Sequence, residues 1–219
     1  MSNIEYELNE RIHAIIINPY LKWDDFRGNC DLIKKYNIQN ISTSLNYLAD
    51  LKNCLGNCTA NINVLISYPL ADIPLTFIKD LVSFAKDKGA NGIEYTPSFI
   101  NLSKGKLNAF ATEIEQVKLS GLPVTIIINR SKLEKELLQR AIEISLELGI
   151  KNFQFGDGFE PYIKPHEVFE ILKIIGNQNQ IKIVGGIKKL TQVINLFDAG
   201  IKSVGSSNFY EIFQELKVF

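Results

Sequence analysis

Two glycine-ended segments near the C-terminus hold the residues best suited to grip a ligand. They are Ile181-Lys-Ile-Val-Gly-Gly-Ile187 and Ile201-Lys-Ser-Val-Gly-Ser-Ser207. Gly185, Gly186 and Gly205 let a ligand approach the main chain closely, and Ser206 and Ser207 add hydroxyl donors. Backbone N–H groups at such turns, with the start of a helix behind them, suit a phosphate or sulfate. The plainer alternative is that these glycines only end strands. A third segment, Gly156-Asp157-Gly158, reads either as a mobile functional loop with Asp157 as a base, or as a turn that Asp157 caps. His13 lies in an apolar run and reads as a core group rather than a catalyst, while His166 follows Lys164-Pro165 at a helix start and reads as exposed. Cys54 and Cys58 could share a helix face, but a metal site needs two more ligands and neither histidine is near in sequence. No metal and no cofactor is expected.

Positioning these residues is the work of a repeating pattern. A β-branched run is followed by a polar turn, an amphipathic helix, often a glycine, and another β-branched run. The runs are residues 12–18, 40–44, 61–67, 92–96, 123–129, 152–155, 181–184 and 203–205. Leu133, Leu137, Leu138, Ala141, Ile144, Ser145 and Leu148 show the helical period between two of them. Gly89, Gly121, Gly149 and Gly200 stand where helices end before a strand, the place for a left-handed residue. Strict βα alternation predicts a parallel sheet. Eight units in a short chain predict an α/β protein with one closed (β/α)8 TIM barrel over residues 1–219, an open sheet being the alternative. No Gly-x-Gly-x-x-Gly follows the first strand, which disfavours a dinucleotide-binding domain. In such a barrel, the loops after strands seven and eight are a common phosphate site.

Bulk properties exclude several classes. The 219 residues carry 24 basic and 24 acidic side chains, so the formal net charge is zero and nothing resembles a nucleic-acid footprint. No apolar run is long enough to span a membrane. The start, Met-Ser-Asn-Ile-Glu-Tyr-Glu, is too polar for a secretory signal, and three cysteines are read as reduced thiols; both suggest a cytoplasmic protein.

Several segments resemble the deoxyribose-phosphate aldolase family, over nearly the whole chain. Ser67-Tyr-Pro-Leu-Ala71 resembles the family's Gly-Phe-Pro-Leu-Gly. Gly89-Ala90, Ile93-Glu94 and Asn101-Leu-Ser-Lys-Gly105 follow its Gly-Ala-Asp-Glu-Val-Asp region and the Leu-Lys-Ser-Gly after it. Gly158-Phe159 fits the Gly-Phe after strand six, and residues 181–187 are similar to Val-Lys-Ala-Ser-Gly-Gly-Ile. Ala199-Gly200 and Gly205-Ser206-Ser207 resemble Ala-Gly-Ala and Gly-Thr-Ser. The glycine pieces alone are shared by many phosphate-binding barrels; the order and spacing of the set are more specific.

The resemblance implies a class I aldolase, a lyase that cleaves a small phosphorylated sugar through a lysine imine. By the same resemblance, Gln154 stands at the family's Schiff-base lysine, Glu94 at its strand-four aspartate and Lys182 at its strand-seven lysine. The first-strand Asp-His-Thr becomes His13-Ala-Ile15, and the second-strand Val-Asn-Pro becomes Ser44-Leu-Asn46. Lys182 and Glu94 are therefore the expected catalytic pair, with Gln154, Asp157 and Gly158 as substrate contacts. Gln154 cannot form an imine, and a salt bridge to Glu94 would raise the Lys182 pKa and blunt its nucleophilicity. A non-catalytic barrel that binds a phosphorylated metabolite or a protein partner is the alternative. A homodimer is expected of barrels of this kind.

Overall fold

A computed structural model describes residues 3–159, 161–176 and 178–216. Met1 and Ser2, which open the segment read as no signal, lie outside the described residues. Eight parallel strands close on themselves in chain order: β1 (Ile12–Ile16), β2 (Asn40–Thr43), β3 (Asn61–Ile66), β4 (Gly92–Tyr95), β5 (Val124–Ile128), β6 (Asn152–Phe155), β7 (Gln180–Val184) and β8 (Ser203–Ser206). All eight sequence runs are strands, with ends moved by one or two residues. The largest change is at Ile17 and Asn18, which belong to the loop after β1 rather than to the strand.

The helices are α1 (Asn3–Arg11), α2 (Trp23–Tyr36), α3 (Leu45–Leu55), α4 (Leu75–Asp87), α5 (Phe99–Ser103), α6 (Leu107–Lys118), α7 (Lys135–Glu147), α8 (Pro165–Ile175), α9 (Leu190–Asp198) and α10 (Phe209–Glu215). Gly89, Gly121, Gly149 and Gly200 end α4, α6, α7 and α9 with φ of +82°, +77°, +76° and +97°, as left-handed glycines should. Cys58 falls beyond the end of α3 at Leu55, so Cys54 and Cys58 do not share a helix face. Among the described residues, no three His, Cys, Asp or Glu side chains gather as a metal site, and no helix is long and apolar enough to cross a membrane.

Side chains alternate across each strand. Ile12, Ala14 and Ile16 of β1, Ile41 of β2, Phe153 and Phe155 of β6, and Ile181 and Ile183 of β7 are buried against the helices. The alternate positions include His13, Ser42, Glu94, Gln154 and Lys182, one polar residue from each of five strands, directed into the barrel. Strands of a barrel buried on both faces usually read as continuous apolar runs; here polar interior residues stand beside apolar ones such as Ile15 and Leu65, and together they form the floor of a site.

Sequence periodicity does not show α1, whose residues are mostly polar. It docks on the N-terminal end of the barrel. Arg11 donates to the carbonyls of Ile201 (2.5 Å) and Lys202 (3.0 Å) at the start of β8, and its guanidinium lies 3.5 Å from the centre of the Phe197 ring. The Asn9 carbonyl accepts the Gln39 N–H, and the Glu10 carbonyl accepts Asn40 Nδ2, so the helix spans from β8 to β2.

Candidate active site

Lys182, third residue of β7, extends across the barrel. Its Nζ donates to Glu94 Oε1 on β4 at 2.5 Å and to Ser42 Oγ on β2 at 3.2 Å. The Ser42 hydroxyl donates its own hydrogen to the same Glu94 oxygen, at 2.8 Å. Lys182 is 4% exposed, Glu94 2% and Ser42 1%. Burial pulls the Lys182 ammonium below its ordinary 10.5, and the Glu94 charge works against that shift. His13 Nδ1 lies 3.9 Å from Glu94 Oε1, too far for a hydrogen bond. Burial, and then the positive Lys182, push the His13 pKa well below 6.5, so it is neutral at pH 7.

Gln154 is the register neighbour of Lys182. Its Nε2 donates to the Gly156 carbonyl at 3.0 Å. Its Oε1, together with Glu94 Oε2 and His13 Nδ1, is buried without a hydrogen-bond partner. Ser42, Glu94 and Gln154 all line a cleft of about 970 Å³ at the C-terminal ends of the strands. Glu94 Oε2 and Gln154 Oε1 are thus two unpaired buried acceptors beneath the cleft.

The glycine segments form one rim of the same cleft. Gly185, Gly186, Gly205, Ser206 and Ser207 line it, with Lys188 and Asn208. Three details differ from the sequence expectation. The start of α9 is closed to an anion: Gln192 Oε1 accepts the N–H groups of Lys188 (2.8 Å) and Lys189 (3.0 Å), and Glu215 Oε2 accepts that of Leu190 (2.8 Å). Ser206 Oγ is used as a stitch between loops, donating to the Ile187 carbonyl at 2.6 Å and accepting the Asn208 N–H at 2.9 Å. Gly205 serves packing rather than backbone freedom, since a Cβ there would lie 2.8 Å from Val184 Cγ2 and 2.9 Å from Ile15 Cδ1. Gly185 and Gly186 do have left-handed φ, +107° and +64°. An anion at this rim would rest on those two turns, Ser207 and the exposed Lys188.

The loop after β6 splits in role. Gly158, with φ +86°, lines the cleft, as does Phe159. Asp157 does not line it. Its carboxylate accepts Asn129 Nδ2 at 2.5 Å and the Phe159 N–H at 3.0 Å, with Lys132 Nζ at 3.7 Å. That is the turn-capping alternative, with one hydrogen bond accepted by each carboxylate oxygen. The Tyr68 hydroxyl donates to the Asp157 carbonyl at 2.5 Å, strapping the β3 loop to the β6 loop. His166 is exposed on α8, away from the cleft.

Sequence reasoning missed Ser42 and Lys188. The signal for Ser42 was available, because Asn40, Ser42 and Ser44 alternate with Ile41 and Thr43. That period places Ser42 on the same face as the other interior polar residues.

A closed (β/α)8 barrel with a polar floor at the C-terminal ends of its strands is the architecture of barrel enzymes. No family model matches the chain. Curated relatives align along nearly its whole length. A deoxyribose-phosphate aldolase from Gloeobacter violaceus is 24% identical over 217 residues, 98% of this chain and 95% of the relative. One from Dictyoglomus turgidum is 25% identical over 214 residues, 96% and 98% of the two chains. Among solved structures, the tetrameric deoxyribose phosphate aldolase from Aeropyrum pernix superposes with a TM-score of 0.86 at 18% identity, covering 99% of this chain and 93% of that one. The chain is similar to deoxyribose-phosphate aldolases along nearly its whole length, at low identity.

Proposed function

We propose that the protein is a deoxyribose-phosphate aldolase-like lyase for a small phosphorylated sugar, with Lys182 as the imine-forming amine and Glu94 as its proton partner. The observation that carries this reading is the buried Lys182–Glu94 contact of 2.5 Å at the floor of the cleft. Burial lowers the Lys182 pKa, and a proton passed from Nζ to Glu94 leaves an amine able to attack a carbonyl carbon. Glu94 then returns the proton to the hydroxyl that leaves as water, and an imine forms. Cleavage of the bond between the α and β carbons sends its electron pair into the imine, giving an enamine. The β-hydroxyl gives its proton to the Glu94 carboxylate, which holds it for the enamine carbon, and the β carbon departs as an aldehyde. Protonation of the enamine carbon and hydrolysis release the second carbonyl product and restore Lys182. Glu94 and Ser42 front the cleft while Lys182 sits behind them, so one of the two must turn aside for the attack. The acceptors Glu94 Oε2 and Gln154 Oε1 suit the sugar hydroxyls, and the β7–β8 rim suits its phosphate. We read the whole chain as one cytoplasmic barrel domain, working without a cofactor and pairing as a homodimer.

A second reading has its own support. Lys182 Nζ is engaged by both Glu94 and Ser42, and its strand neighbour is Gln154, which cannot form an imine. A barrel that binds the phosphorylated metabolite, or a protein partner, without turning anything over fits those contacts.

Borohydride trapping separates the two. The protein is incubated with 2-deoxyribose 5-phosphate, or separately with acetaldehyde, reduced, and mapped by intact mass and peptide mass. A reduced adduct on Lys182 that disappears in Lys182→Met supports the lyase. No adduct, under conditions that label an established aldolase, removes the imine mechanism. Ligand-induced stabilisation without turnover is then the signature of the binding reading.

A further inference from the structure

The cleft is larger, and on one side more apolar, than a sugar phosphate needs. At about 970 Å³ it stands at the upper end of the range for drug-sized ligands, about 300–1,000 Å³. Its polar groups gather at the floor and the β7–β8 rim, while Asn18, Asn29, Ser44, Ser67 and Tyr68 are set among apolar residues on the β1–β3 side. The sector over β1 to β3 is lined by Leu21, Leu45, Ile73 and Leu81. All four are half-buried, resting on the core while presenting side-chain surface to the cleft.

The connections explain the shape. Ser44 alone joins β2 to α3, whereas residues 17–22 join β1 to α2 and residues 67–74 join β3 to α4. The barrel rim is therefore low at β2 and high on both sides. The cleft runs out through that notch over the first turn of α3. Leu45 at the start of α3, Leu21 and Ile73 in the flanking loops, and Asn29 of α2 and Leu81 of α4 all line the cleft.

We propose that this arm binds an apolar alkyl or aryl substituent of the ligand whose phosphate rests on the β7–β8 rim, so that the phosphorylated substrate of the proposed lyase carries such a substituent. The inference rests on the reading of the rim as a phosphate site. What it adds is continuity: the apolar arm, the polar floor and the rim line one cavity, so a single molecule can occupy all three. Partly exposed leucine and isoleucine side chains gain by covering apolar surface, roughly in proportion to the area removed from water.

The test is calorimetric titration of the full chain with methyl, propyl, butyl and hexyl phosphate, repeated with Leu45→Trp, which fills the arm, and with Leu81→Ser, a mild change at a half-exposed position. Affinity for the unaltered protein should tighten about fourfold per added methylene until the arm is full. Leu45→Trp should flatten the series at its short-chain value, and Leu81→Ser should weaken only the longer members. A flat series in the unaltered protein overturns the arm while leaving methyl phosphate binding to speak for the rim. A series that steepens equally in both variants overturns it too, since the alkyl chain is then elsewhere. If methyl phosphate fails to bind but n-alkanols bind with a chain-length dependence that Leu45→Trp removes, the phosphate reading fails and the arm stands.

Discussion

At Lys182 two opposing effects meet: burial removes the water that favours an ammonium, and Glu94 supplies the charge that restores it. Removing one member of a buried pair leaves the other uncompensated, which typically costs about 3–5 kcal/mol. Lys182→Met should therefore lower urea-unfolding stability by about that much, and Lys182→Met with Glu94→Leu should lose less than the two single changes added together. Two other buried groups set the pH dependence of stability, with opposite sign. The folded His13 pKa is far below 6.5, so His13 contributes stability that is complete above pH 6.5 and is lost on acidification, as the unfolded chain takes up a proton the folded one refuses. Glu113 on α6 is buried and accepts the Ser98 N–H at 2.6 Å. Burial pushes its pKa up to about 7 from 4.5, so its contribution is complete below pH 4.5 and is lost as pH rises through 7. Thermal melts from pH 4.5 to 7.5 should show His13→Gln losing less stability than the parent on acidification, and Glu113→Gln losing more. The residues of the pair were legible in the sequence through the family resemblance. Their salt bridge, considered through the resemblance, could not be read from local pattern, because Lys182 and Glu94 are 88 positions apart and only barrel closure brings them together.

Elements make different demands of their glycines, and two substitutions of the same kind should move stability in opposite directions. Gly156 follows β6 with φ +90°, and a Cβ there would stand 2.0 Å from the Val184 carbonyl oxygen on the neighbouring strand. Gly156→Ala should cost about 3 kcal/mol or more. Gly28 lies inside α2, where a Cβ meets nothing within 4 Å and φ is ordinary. Gly28→Ala should raise stability by about 0.5–1 kcal/mol. Chemical denaturation of both variants checks the contrast. Strand positions were legible because β-branched runs and helix-ending glycines are local signals. The α1 helix was not, because Asn3–Arg11 has little apolar periodicity and is held by bonds to β2 and β8 rather than by its own pattern. The closing of the start of α9 was not legible for a related reason: the groups that close it include Glu215, from α10.

For the whole molecule, closure is the event that turns eight local units into a site, and α1 seals the end opposite the cleft. Arg11→Ala removes two hydrogen bonds to the first residues of the β8 segment and the contact with Phe197. A loss of about 1–3 kcal/mol is expected in a thermal melt, with ligand binding at the far end of the barrel unchanged. The sequence by itself determined the alternation of strand and helix, the glycine turns and the polar residue in mid-strand at Lys182, Glu94 and Gln154, because each depends on neighbours only a few positions away. Tertiary structure alone decided which polar groups are already spent. Asp157 is committed to Asn129 and Phe159, and Ser206 to Ile187 and Asn208. It also decided which buried acceptors are left without a hydrogen-bond partner, Glu94 Oε2 and Gln154 Oε1. The physical reason is that a hydrogen bond is satisfied in space, by partners that a sequence places dozens of residues apart.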